Sequence, residues 1–136
     1  MDALWGRTDQ PAVTRAALLS MVTGFVTLVG CALVGTVLFD PTIADWFFPV
    51  VLTVAVTQVT AAVLLIAGGV RLARGAGRRM FVAGNVLHVL LCAAYVLHAL
   101  AVVANNSADP PSTVVAMVVV PIVFAALPVT SLVMAR

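Results

Sequence analysis

The chain contains no lysine and no glutamate, so every charge it carries is an arginine or an aspartate. Neither type falls inside any of its long apolar stretches. That removes the membrane carboxylate on which ion-coupled pumps usually depend. Cysteine is limited to Cys31 and Cys92, one in each of two separate apolar stretches. Two such residues are not a disulfide framework and read as small buried side chains. No catalytic set assembles either. Ser20, Ser107, Ser112 and Ser131 are scattered and pair with no recognisable base and acid. Gly68-Gly69 has neither the lysine nor the strand–turn–helix setting of a phosphate loop. The expectation is therefore a protein that is not an enzyme, has no resident cofactor and has no nucleic-acid partner.

What the chain has is apolar surface: 63% of its 136 residues are hydrophobic and 9% are charged. A soluble domain of this size cannot hide so much, because small domains bury only part of what unfolding exposes. Four apolar runs cover about 16–39, 47–70, 80–104 and 113–135. Each exceeds the roughly 20 residues that carry a helix across about 30 Å of hydrocarbon. Strand alternation is absent, and only helices or closed barrels satisfy the backbone in lipid. The expected fold class is thus all-α and integral to a membrane, a single domain made of a four-transmembrane-helix bundle.

Orientation comes from the arginines. Four spans place the first segment, the middle loop and the last residues on one side. Arg7, Arg15, Arg71, Arg74, Arg78, Arg79 and Arg136 all fall there. The positive-inside rule makes that side cytoplasmic, with both termini in. Asp40, Asp45 and Asp109 fall in the outer loops, and Trp46, Phe47 and Phe48 sit at the level of an outer aromatic belt. Trp5 would anchor the inner interface, and Asp9 before Pro11 would cap a short interfacial helix. Asp40-Pro41, the glycines Gly75 and Gly77, and Asn105 to Ser112 mark the turns. Arg71, Arg74, Arg78 and Arg79 give the middle loop some affinity for anionic lipid headgroups beside their topological role. Leu28-Val29-Gly30-Cys31 matches a lipidation box, but the apolar run continues from Ala32 to Phe39 where a lipidated chain turns polar.

Two kinds of polar pattern interrupt the apolar runs. The first is small and regularly spaced. Thr23, Thr27, Cys31 and Gly35 recur every fourth residue, and Thr53, Thr57 and Thr60 give the second run a comparable face. Small residues at that spacing let helices approach closely, within this bundle or against another membrane protein. The second pattern is Asn85, His88, Cys92 and Tyr95, which share one face of the third run, with His98 at its edge. Packing by interhelical hydrogen bonds to groups such as Gln58 or Thr57 is one use of that face. Binding a lipid, quinone or haem at His88 and His98 is another. Ten residues separate the two histidines, about 15 Å along one helix and about 80° around it, so they cannot clamp one haem within a monomer. His88 with Cys92 makes half of a zinc site and lacks the remaining ligands.

The pattern of four near-uniform spans resembles small four-span membrane proteins of high-GC Gram-positive bacteria. Gly68-Gly69 before Arg71-Leu72-Ala73-Arg74 and the run Pro121-Ile122-Val123-Phe124-Ala125-Ala126-Leu127-Pro128 carry the likeness. One such protein is the small accessory subunit of mycobacterial Mce-type lipid importers. The resemblance implies a non-catalytic accessory subunit of a larger inner-membrane complex concerned with lipid transport, with membrane lipids and other integral membrane subunits as partners. It brings no functional residue with it.

Overall fold

A computed structural model describes residues 10–38, 48–105 and 111–135 of the chain. Trp5, Asp9, Asp40, Asp45, Trp46, Phe47, Asp109, Arg7 and Arg136 lie outside the described residues, as do the two outer turns. Four helices follow one another: α1 (Gln10–Leu38), α2 (Phe48–Ala73), α3 (Arg78–Asn105) and α4 (Pro111–Met134). No strand occurs among the described residues. Of the first dozen residues, expected to form a short interfacial helix, 1–9 lie outside the described residues and 10–12 are the first turn of α1, with Pro11 where a missing N–H costs nothing.

The chain turns from α2 to α3 within four residues, and glycine makes this possible. The amide of Gly75 donates to Leu72 O at 2.9 Å and that of Ala76 to Arg71 O at 2.8 Å. This is a Schellman closure, which needs a left-handed residue at its centre, and Gly75 has φ 75°. Gly77, also at positive φ, then accepts the first amide bond of α3, from Phe81.

Each helix packs against its two neighbours in a ring: α1 on α2 and α4, α3 on α2 and α4. The seams are close because glycine lines them. A Cβ at Gly69 would lie 2.8 Å from Ala17 O, and one at Gly84 would lie 2.8 Å from the Leu65 nitrogen. Ala17 therefore sits level with Gly69, which gathers Arg15, Arg71, Arg74, Arg78 and Arg79 at one end of the bundle.

Many small residues lie inside and many large apolar ones outside, although Phe81 and Leu65 are fully buried as well. Ala16, Ala17, Ser20, Thr23, Ala55, Ala61, Ala62, Asn85 and Ser131 are buried, while Phe25, Val29, Val63, Leu90, Leu97 and Val133 are exposed. A water-soluble bundle would do the reverse. In lipid no hydrophobic force drives helices together, so small side chains and hydrogen bonds hold the inside and large apolar ones meet the acyl chains. Pro11–Ala32, Phe48–Ala73 and Arg78–Ala101 are each long and apolar enough to cross a membrane. The apolar part of α4 that is described, Val118–Met134, is shorter. The fold is that of a helical membrane protein.

Candidate functional site

The polar groups inside the bundle form two layers. In the first, the Asn85 amide donates to Phe81 O at 2.8 Å and to Ser20 Oγ at 3.3 Å. The Ser20 hydroxyl donates in turn to Leu65 O at 3.0 Å. Three helices are thereby tied through one serine, at the level where the glycine seams are closest. The amide orientation is fixed, because its nitrogen faces two acceptors. Asn85 Oδ1 has no partner among the described residues.

One turn further into the bundle lies His88, 4% exposed. Its Nδ1 stands 3.3 Å from Thr27 Oγ1. That hydroxyl gives its only hydrogen to Thr23 O at 2.7 Å. With that hydrogen committed, Thr27 accepts from the imidazole, and the neutral tautomer that fits has its proton on Nδ1 and a lone pair on Nε2. Nε2 is buried and unpartnered.

His88 is part of the wall of a partly open cavity of about 330 Å³. Thr27 and Gly30 of α1, Gln58 of α2, Cys92 and Tyr95 of α3, and Pro121 and Phe124 of α4 complete most of the wall. Val26, Leu91 and Val120 add to its apolar character. Gln58 is 7% exposed, and among the described residues neither its Oε1 nor the Tyr95 hydroxyl has a hydrogen-bond partner. Gln58 reaches toward that hydroxyl from α2 but stops outside hydrogen-bond geometry. Three polar atoms without protein partners thus belong to side chains of one cavity. Leaving a buried polar atom unpaired costs about 1–3 kcal/mol, so a hydrogen-bond partner for these atoms would be stabilising.

The cavity has a definite depth. His88 stands ten residues along α3 from Arg78, about 15 Å of helix rise. That is about half the thickness of a hydrocarbon layer of about 30 Å.

The residues singled out in the sequence are now divided. Thr27, His88, Cys92 and Tyr95 meet at the cavity, and Thr23 serves it by holding the Thr27 hydrogen. Asn85 belongs to the layer below. Cys31 is outside the cavity lining, and its thiol donates to Ala55 O at 3.7 Å. Gly35 lies on α1 beyond the described side chains. His98 is exposed and separate from His88, so the two do not share a site. Thr53 and Thr60 face outward and Thr57 is half-buried; each hydroxyl donates to the carbonyl four residues earlier, at 2.7 to 2.8 Å. Arg71, Arg74 and Arg79 are exposed at the arginine end, and Arg78 opens α3 beside them. Among the described residues no three His, Cys, Asp or Glu side chains converge as a metal site would require. In the sequence Gln58 stood out only as a hydrogen-bond partner for the α3 face, Gly30 only in the lipidation-box match, and Pro121 and Phe124 only in the run that carries the resemblance, none of them as the wall of a site. A glutamine in an apolar helix at the depth of a histidine on another was the available signal.

The bundle and its cavity define a helical membrane protein with a buried polar cluster. No protein-family profile, curated protein or solved structure matches the chain.

Proposed function

We propose that this chain is an intramembrane binding protein that holds an apolar molecule in the cavity between α1, α2, α3 and α4. The observation that carries this is the set of three unpartnered polar atoms, Gln58 Oε1, His88 Nε2 and Tyr95 OH, on the walls of an otherwise apolar cavity. Ligand sites have this make-up: mostly apolar lining with a few convergent polar groups. Water is a poor filling for the whole space. A buried water wants two to four polar partners, and most of this lining offers none.

The proposal includes the placement of the chain. α4 spans 24 residues, about 36 Å of helix, and is taken as the fourth crossing. The arginine end faces the cytoplasm of a bacterial inner membrane, with both termini inside, as the positive-inside rule directs. Native mass spectrometry of the protein released from its own membrane tests the binding reading. A stoichiometric apolar adduct is expected, and a bare chain under conditions that retain bulk lipid would remove the reading.

A second reading makes the chain an accessory subunit of a larger inner-membrane assembly, of the kind that moves lipids in Mce-type importers. Its support is the outward face of α2, where Thr53 and Thr60 stand among exposed Val56, Val59 and Val63. Small polar residues on a lipid-facing surface suit helix association. Co-purification of a larger membrane complex in mild detergent, lost in a Thr53→Leu, Thr60→Leu variant, is the expected result for this role. A partner-free chain in that experiment would exclude it.

A further inference from the structure

The cavity also constrains the chemistry of what enters it. We infer that the occupant is a neutral, hydroxyl-bearing apolar molecule, such as a long-chain or ring alcohol or a phenol, whose O–H donates to His88 Nε2. This rests on the reading that the cavity binds a ligand at all.

Three observations lead there. The first is depth. The cavity lies about 15 Å of helix rise from the arginine end, whereas phospholipid headgroups sit at the interfaces, outside the hydrocarbon. A molecule whose polar group reaches His88 must therefore carry that group into the bilayer interior. The second is charge. Among the described residues no arginine or aspartate lines the cavity, so an ionic head would be buried without a counter-ion, which costs far more than burying a hydroxyl. The third is the direction of hydrogen bonding. Thr27 is committed as a donor to Thr23 O and as an acceptor from His88 Nδ1. The outer nitrogen of His88 can only accept. A ketone or quinone offers acceptors alone and would set lone pair against lone pair at this atom. A hydroxyl supplies the missing hydrogen, and its oxygen remains free to accept from the Tyr95 hydroxyl or the Gln58 amide.

The matched probes 4-octylphenol, its methyl ether 4-octylanisole and octyl-benzoquinone separate these cases. They are titrated into the full chain in lipid nanodiscs, with histidine labelled by ¹⁵N. The chain has two histidines, so His98, exposed and away from the cavity, is the control in the same spectrum. The phenol is expected to shift the His88 Nε2 resonance, leave His98 in place and bind about tenfold more tightly than ether or quinone, the worth of one buried hydrogen bond. Ether or quinone binding as tightly as the phenol overturns the hydroxyl assignment while the binding reading survives. No saturable response to any of the three overturns both. Gly30→Leu, which projects a side chain into the cavity and leaves the histidine intact, is expected to abolish the phenol response. A response that persists in this variant places the phenol elsewhere and overturns the assignment.

Discussion

A Cβ built on Gly68 would lie 2.7 Å from both the Cα and the backbone nitrogen of Phe81. The α2–α3 seam is therefore closed backbone to backbone, with no flexible side-chain tip to give way. Gly68→Val should push the helices apart and cost about 1–3 kcal/mol, the usual range for overpacking. Gly30 is the internal contrast, since nothing lies within 4 Å of a Cβ there. Gly30→Ala should stay neutral or stabilise by up to about 1 kcal/mol, because alanine restricts the unfolded chain and suits a helix better. Thermal unfolding of both variants in one detergent checks the pair. Equal loss in both would mean the seam is not where the structure puts it.

The Asn85–Ser20–Leu65 relay makes a smaller prediction. Ser20→Ala removes the link among three helices but leaves Asn85 its bond to Phe81 O. Interhelical hydrogen bonds in membranes average about 0.6 kcal/mol. A loss near that size, and non-additive with Asn85→Leu, is expected from a double-mutant cycle on unfolding free energy. Strict additivity would show that the two side chains act independently.

Most of the fold was legible in the sequence, because four uninterrupted apolar runs and clustered arginines constrain a chain strongly in lipid. Each observed helix overlaps its expected run and extends past it mainly where arginine or proline can sit at an interface. The helix order around the bundle was not legible. Packing there is decided by which glycines face a neighbour, and Gly68, Gly69 and Gly84 look no different in sequence from Gly30. The site was half legible. The stripe from Asn85 to Tyr95 was visible as one face of one helix. Gln58 and Thr27 joined it only through the pairing of helices, which periodicity within a single helix does not reveal. His98 lies at the edge of the same stripe, and a few tens of degrees of helix rotation were enough to put it outside.

Topology gives a third prediction. Ala76 is exposed in the arginine turn between α2 and α3. A cysteine placed there should resist a membrane-impermeant maleimide in intact cells and react once the membrane is opened. Cys31 and Cys92 lie within apolar helices, half-buried and buried, and supply the unreactive background. Labelling in intact cells would reverse the proposed orientation.

Filling the cavity separates binding from stability. Gly30→Leu and Val120→Phe both add volume at the wall from different helices, and neither removes a hydrogen bond. Each should lower ligand occupancy at least about tenfold, a cost of about 1.4 kcal/mol in binding, while the melting temperature without ligand stays close to that of the parent. Unchanged occupancy in both variants would place any bound molecule elsewhere.

The most direct test is to find where an apolar molecule touches the protein. A long-chain alcohol carrying a diazirine is photolysed in membranes containing the full chain, and the labelled residues are mapped by mass spectrometry. The account predicts saturable labelling concentrated on cavity residues such as Gly30, Cys92, Tyr95 and Phe124, competed away by unlabelled alcohol. Labelling spread evenly over the outward valines and leucines, with no competition, would contradict it.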